Sequence, residues 1–486
     1  AYAYAVQYHP APPALPPPPP SVPSPPPPPP APPRPPPLPP LVPPPPLPPP
    51  PPFIVAAAGY VPMGPPIDGG MTGDTRGDAA GSAVALSADG LVFAEGGSYY
   101  TLGALEYAGR ARVFEWNAAS NDWDPRATVV GDHRDFSGMS VALSADGAVL
   151  AVGAYYHDTG KGRARVYDWN GVDAYVLRED PANQLKGVDY SAAGWVVDLS
   201  ADGSIVAVAM YQHRGPQNVA NGGSVRVFEW DHSGRTWTRL GTDADDMQGV
   251  DTQDFFGTSI ALSDDGHVLA VGVPATEHPS ASDYSRGQVH VYAWNGYSWN
   301  ERDPGTHASP SLGGDANYDY LGTKVALNAD GSILAATALQ TYNPVPRCYV
   351  RVWDWDGGSY VQRAPDVYAV TAEESADSGW YHQGNKVTVA LNAEGTVMAV
   401  GINPTLTTLR GSVDVYAWDD AGWTKISTTE GEDPGDRYGL SVALSADATV
   451  LATGANQKTA NGIQNGGRAY AYAVQYHPAP PALPPP

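Results

Sequence analysis

Side chains able to do acid, base, nucleophilic or metal chemistry are present in this sequence, but their spacing does not bring them together. Asp198 stands out because it interrupts a repeated apolar pattern. VDLSADG occupies 197–203, and six similar segments carry alanine where this one has the acid. A carboxylate there is either a ligand group lining a channel or the partner of an arginine across it, and the ion pair is the expectation. Asp245 with Asp246, and Glu373 with Glu374, are paired carboxylates in polar stretches and read as solvated surface. The 11 histidines form no H-x-x-x-H or H-E-x-x-H grouping, which leaves zinc without a ligand set. No nucleophile elbow, phosphate-binding loop or dinucleotide fingerprint stands in the right context. The single cysteine, Cys348 in PRCYVRVWDW, excludes an intramolecular disulfide and reads as a strand thiol with no base beside it. Arg76-Gly77-Asp78 spells an integrin-binding tripeptide, but three such residues arise by chance in an acidic, glycine-rich loop. The one Asn-x-Thr, at Asn403, has Pro404 in the middle, so any glycosylation is O-linked. The expectation is a protein that is not an enzyme and holds no cofactor.

Composition narrows the partners. Asp and Glu number 51 against 27 Lys and Arg, a formal charge of −24 with pI near 4.6. Such a surface repels the phosphates of nucleic acid and the headgroups of an anionic membrane. No apolar run reaches the roughly 18 residues of a membrane span, so the chain reads as soluble. No charged-then-apolar leader opens it, which for a secreted protein implies a mature or partial chain. Charged residues at 16% beside 53 glycines, 28 tyrosines and 13 tryptophans suggest an all-β protein with many tight turns.

The elements that must position these side chains are repeats. VALSADG recurs at Val84 and Val141, VDLSADG at Val197, IALSDDG at Ile260, VALNADG at Val325, VALNAEG at Val389 and VALSADA at Val442, spaced 53 to 65 residues apart. Each reads as a strand ending in a turn. A second apolar run follows, such as AVLAVGA at 148–154. A third strand ends in aromatic-x-Trp, as in GRARVFEW from Gly109, GSVRVFEW from Gly223 and YVRVWDW from Tyr349. A fourth short strand often carries another aromatic: Trp123, Trp237, Trp299 or Trp423. Four strands in each of seven units predict a seven-bladed β-propeller spanning 53–476.

The segments preceding the anchors, such as DTQDFFGTSIALSDDG from Asp251 and GDRYGLSVALSADA from Gly435, resemble FG-GAP repeats, which build the propeller of integrin α chains and of many secreted algal and bacterial proteins. The resemblance covers about 400 residues. It implies calcium loops of the form D-x-D/N-x-D/N-G, and the nearest match here is Asp315, Asn317 and Asp319. Tyr320 stands where that loop needs glycine, which weighs against calcium.

Residues 10–52 hold 31 prolines in 43 positions. Proline fixes φ and lacks the amide donor, so helix and central strand are excluded and a polyproline II rod is predicted. Fully extended it would reach roughly 130 Å. With three residues per turn, Ala11, Ala14, Leu38, Leu41, Leu47 and Phe53 share one edge, an apolar ridge suited to lateral packing. SVPSPPPPPPAPP, at 21–33, resembles the serine-plus-proline-run motifs of extensins and other hydroxyproline-rich glycoproteins of plants and green algae. That resemblance implies hydroxylation and O-glycosylation in the contiguous prolines, at Pro23, Pro25, Pro26, Pro27, Pro28, Pro29, Pro30, Pro43, Pro44, Pro45 and Pro46, with sugar on Ser21 and Ser24 as well. Unmodified proline runs also serve as ligands for SH3 or WW domains.

AYAYAVQYHPAPPALPPP occurs twice, at 1–18 and at 469–486. Its second copy follows GGR and matches the third-strand position of the seventh repeat, so residues 469–476 are expected to be a blade strand, with a second proline rod starting at 477. Residues 1–9 then duplicate the strand segment of another propeller. A tandem polyprotein, a strand donated head-to-tail between subunits, or a repeating object from which one period is delimited all describe a linear array. Tyr2, Tyr4, Val6, Tyr8, Tyr470, Tyr472, Val474 and Tyr476 become assembly residues, together with Leu38, Leu41, Leu47 and Phe53 of the rod. PPFIVAAAGYV at 51–61 is the candidate fourth strand of blade seven, with 53–61 as its core. The expected function is a structural subunit of an extracellular, O-glycosylated filament of the cell surface, wall or flagellar appendage. Its partners would be further copies of itself, and also other polyproline rods or wall glycans. The alternative is a carbohydrate-binding or adhesive propeller on a proline-rich stalk, which exposed aromatic residues on one propeller face would favour.

Overall fold

The computed structural model describes residues 59–475, apart from 70–76, 179–184, 189, 215–218, 242–246, 250, 276–284, 304–311, 341–346, 370–386, 405–409 and 460–464. The copy at 1–9, the rod at 10–52, the first residues of the expected closing strand and the proline run from 477 lie outside the described residues.

Each anchor makes the same turn for the same reason. Strands Ser140–Leu143 and Val149–Ala154 pair antiparallel, from Ser140 opposite Gly153 to Leu143 opposite Leu150. Between them the Val149 N–H donates to Ser144 Oγ at 2.8 Å, and Asp146 Oδ1 accepts from Ser144 Oγ and from the Ala148 N–H. Serine and asparagine can both accept in this way, which is why either stands at the position. Ser87, Ser200, Ser263, Asn328, Asn392 and Ser445 each take the amide five residues on at 2.8–2.9 Å. The glycine closing the turn is left-handed, with φ 65° at Gly147, and a Cβ there would lie 2.7 Å from Val92 Cβ of the preceding blade.

The alanine of the anchor makes a further, long-range contact. The Ala88 N–H donates to Ala145 O, and the same bond continues through Ala201, Asp264, Ala329, Ala393 and Ala446 back to Ala88, at 2.7–3.0 Å. Seven backbone hydrogen bonds thus close a circle around the axis, each contributing about 1 kcal/mol.

Seven antiparallel sheets result, beginning at Ala80, Ser140, Val197, Ser259, Val325, Val387 and Tyr438. The architecture is an all-β, seven-bladed β-propeller, and the helical content of the described residues is one turn at His157–Gly160. No helix of the described residues is long and apolar enough to cross a membrane. The second strand of every blade is buried along its length, as at Val149–Ala154 and Val268–Val273, which is why these runs are continuously apolar rather than alternating. There is no single central core. Seven clusters fill the seven gaps between neighbouring blades, and one of them joins Val450 and Ala452 of blade seven to Val84 and Phe93 of blade one. Close approach across these gaps requires glycine: a Cβ built at Gly153 would sit 2.0 Å from Gly194 O.

The aromatic-x-Trp signature also has a register explanation. Its tryptophan faces the aromatic of the fourth strand: Trp116 opposite Trp123, Trp230 opposite Trp237, Trp418 opposite Trp423, with centroids 5.1–5.4 Å apart. Trp169 with Tyr175 and Trp355 with Tyr360 use tyrosine in the same role. Such cross-strand pairs contribute about 0.5–1.5 kcal/mol beyond burial.

Candidate functional site: the closing blade

Blade seven is where the chain meets itself. Tyr438–Leu444 and Val450–Ala455 supply its first two strands and Arg468–Gln475 the third. The fourth is Gly59–Pro62, paired antiparallel along Arg468–Gln475 with Gly59 opposite Gln475 and Tyr60 opposite Val474. Pairing thus begins at Gly59, and residues 53–58 of the expected closing strand lie outside the described residues. Ile67–Asp68 adds a short fifth strand against Ala469 and Arg468.

Tyr60 makes this closure equivalent to the other blades. Its register partner, Val474, stands where the other third strands carry tryptophan, and Tyr60 supplies the aromatic ring of the fourth strand. Its hydroxyl donates to the Ala448 carbonyl, just as Tyr175 donates to Gly147 at 2.5 Å and Tyr360 to Gly331 at 3.4 Å. Tyr60 was legible only by aligning the aromatic pairs, since no neighbouring motif announces it.

The tyrosines of AYAYAVQ are interior groups. Tyr470 and Tyr472 are 7% and 8% exposed, and Tyr438 Oη lies 2.8 Å from both Tyr472 Oη and Thr429 Oγ1. The Tyr438 ring meets Tyr470 edge-on at 5.2 Å. Burial pushes the hydroxyl pKa of Tyr438, Tyr470 and Tyr472 up, so all three stay protonated. Val474 is half-buried against the same cluster. Outside the described residues lie Tyr2, Tyr4, Val6, Tyr8, Leu38, Leu41, Leu47, Phe53 and Tyr476, and the modification sites Ser21, Pro23, Ser24, Pro25–Pro30 and Pro43–Pro46.

A charged latch crosses the seam beside this strand. Arg468 pairs with Asp68 of the closing segment and with Glu432, 3.0 Å away. Lys458, 4% exposed, is held by Glu432 at 3.0 Å, Asp433 at 2.5 Å and Asp436 at 3.1 Å. The acids raise the pKa of both bases, and Lys458 in return lowers those of Glu432 and Asp433. No motif announced their pairing.

Asp436 is one of a series of buried turn acids, and the calcium candidate belongs to it. Asp135, Asp254, Asp319 and Asp436 each accept a backbone N–H from three residues earlier, at 2.8–3.1 Å. In the D-x-N-x-D segment, Asp319 Oδ2 takes the Asp315 and Ala316 amides, both at 2.9 Å, and the Tyr349 hydroxyl at 3.2 Å. Asp315 is held in a two-pronged bond by Arg351, at 3.0 and 2.5 Å, and Asp366 grips the same guanidinium. Asn317 lies in the same turn. This is the geometry of an ion-paired turn, with an arginine as its cation. Among the described residues, Asp132, Asp135 and His157 have ligand atoms within 4.8 Å of one another. Arg163 reaches Asp132 at 2.5 Å and Asp135 at 2.7 Å, and Arg165 reaches Asp132 at 2.8 Å, so two guanidiniums already balance the two carboxylates.

The remaining candidates have structural partners. Asp198 does not meet an arginine: its carboxylate accepts the Leu199 N–H at 2.9 Å and the Leu262 N–H of the next blade at 2.8 Å. A neighbouring blade's amide could satisfy it because inner strands lie side by side, a proximity no single repeat reveals. Burial pushes its pKa up to about 6. Asp78, in the Arg-Gly-Asp tripeptide, is buried and pairs with Arg110 at 2.7 Å. Arg76, Asp245, Asp246, Glu373 and Glu374 lie outside the described residues. Cys348 is a buried thiol in Arg347–Trp355, opposite Leu339.

No protein-family model matches the chain, and no curated protein matches it in sequence.

Proposed function

We propose that this chain is a structural subunit of an extracellular, O-glycosylated filament, with propellers as beads joined by polyproline rods in a linear array. One observation carries the reading: AYAYAVQ, an interior strand of blade seven, stands a second time at 1–7, directly before the proline-rich segment. A strand whose tyrosines are built for burial belongs inside a blade. The slot for it in this propeller is filled by 469–475, so the copy at 1–8 fits blade seven of another propeller. In a tandem chain each proline segment would run from the third strand of one closing blade to the fourth strand of the next propeller.

Proline leaves the rod little backbone freedom to lose, so it resists compression without a core of its own. The likeness of 21–33 to extensin-type motifs supports hydroxylated, sugar-bearing prolines that shield the array. The FG-GAP-like segments support an extracellular setting. Neither enzyme chemistry nor calcium enters this reading. Electron microscopy of native material tests it: rows of propeller-sized beads at regular spacing are expected, and dispersed single particles under all conditions would overturn it.

A further inference from the structure

The face opposite the anchor turns carries a continuous strip of aromatic rings over blades one to four. Tyr107 stacks on Phe136 with centroids 5.3 Å apart and planes 7° from parallel, and Tyr99 meets both edge-on. Phe136 leads to Tyr155 at 5.6 Å, Tyr155 to Trp195 at 5.4 Å, Trp195 to Tyr211 at 4.3 Å and Tyr211 to Phe255 at 6.1 Å. Tyr99 and Tyr156 are 46% and 44% exposed, the rings between are half-buried, and Phe255 ends the strip against the core.

Two of these rings, Phe136 and Phe255, are placed there by the turn acids. Asp135 and Asp254 grip their loops, and the next residue, Phe136 or Phe255, is left-handed at φ 52° and 53°. That conformation is strained for a bulky residue. Packing does not require a ring at this place, because Ala192 and Arg437 occupy the corresponding positions at φ 55° and 59°. Nor is tyrosine needed after the second strand: the position of Tyr155 and Tyr211 is Pro274, Asn403 and Asn456 in blades four, six and seven. The strip is thus a local addition to the repeat.

The chemistry around it selects the ligand. The bases beside it are already engaged: Arg134 by Glu106, Lys161 and Lys186 by Asp158, Arg163 by Asp132 and Asp135. An anionic ligand would find these four bases already paired, and Arg437, near Tyr99, marks the blade-seven limit of the strip. What remains at the border is acceptor capacity on exposed carboxylates, with the Tyr211 hydroxyl bonded to Gln212 at 2.8 Å. A neutral occupant that offers an apolar face to the rings and donates hydrogen bonds to the spare lone pairs of Glu106, Asp132 and Asp158 suits this border. Sugar rings do all three, with C–H faces to stack and hydroxyls to donate. A bare proline rod offers only acceptors and gives the carboxylates' spare lone pairs no donor. We propose that this strip is a binding platform for a neutral polysaccharide, with Tyr99, Phe136, Tyr155, Tyr156, Trp195 and Tyr211 stacking against successive sugar rings.

The test is titration of the full chain with soluble arabinan, galactan, xylan and mannan oligosaccharides, following tryptophan fluorescence and heat. At least one should bind saturably. Trp195→Ala and the pair Tyr155→Ala with Tyr156→Ala should each weaken binding about tenfold or more. Tyr297→Ala, 86% exposed in a hairpin of blade four away from the strip, should leave it unchanged. Circular dichroism confirms that each variant is folded. Failure of all four sugars to bind, affinity indifferent to the strip variants, or preferential binding of an unmodified ten-proline peptide would each overturn the proposal. These outcomes do not depend on whether the chain forms filaments, which microscopy decides separately.

Discussion

The two faces of the propeller are built from the same seven repeats and treat them in opposite ways. At the anchor end, seven turns make the same serine or asparagine bond, and seven backbone bonds close a circle from Ala88 to Ala446. At the other end, an aromatic strip over blades one to four gives way to Asn403, Arg437 and Asn456 in blades six and seven, and Lys458 and Arg468 latch one seam only. Uniformity marks the end that holds the ring together. Variation on an unchanged backbone marks the end free to acquire a role.

That contrast can be broken most severely at the uniform end. Gly203 is left-handed at φ 66°, and a Cβ there would lie 2.5 Å from Val149 Cγ2. Gly203→Val should destabilise the fold by about 3–5 kcal/mol in urea titration. Tyr60→Ala removes the closing ring and its hydroxyl bond to Ala448. A loss of about 3 kcal/mol is expected, with proteolysis beginning near the seam.

Asp198 offers a pH-dependent comparison with its six alanine counterparts. Its pKa, raised to about 6 from an ordinary value near 3.8, means the native state binds the proton more tightly than the unfolded chain. The charged form is therefore unfavourable at neutral pH, and acidification through pH 6 relieves it until about pH 4. Relative to Asp198→Ala, the parent should gain up to about 3 kcal/mol between pH 7.5 and 4, measured as the difference in unfolding free energy. A difference that stays flat would show that the two amide bonds hold the carboxylate charged.

Smaller effects complete the series. Ser144→Ala removes one turn bond and should cost about 1 kcal/mol, with its equivalents in other blades behaving alike. Trp195→Ala, on the variable face, should change stability least while changing sugar binding most.

The ring itself was legible in the sequence because its determinants are local and repeated: the Ser-Ala-Asp-Gly turn, the apolar second strand, and the tryptophan facing an aromatic across a hairpin. The closing strand was legible as an apolar run, but its pairing register depended on Tyr60, a single residue visible only after the blades are aligned. The aromatic strip was hidden because its rings come from several different loop positions in four blades, brought together by the closure of the ring. Asp198 misled for a related reason. Its partners are backbone amides, one of them in the next blade, and side-chain types alone cannot announce them.

The array reading rests on covalent continuity or strand exchange between propellers, and peptide mass spectrometry of native material tests it most directly. Peptides running unbroken from Gly467 through AYAYAVQY and the proline segment into Phe53, with hydroxyl and pentose or hexose additions on the proline runs, are the predicted result. Bare prolines together with a free amino group at Ala1 in every molecule, and only dispersed propellers in solution, would contradict it.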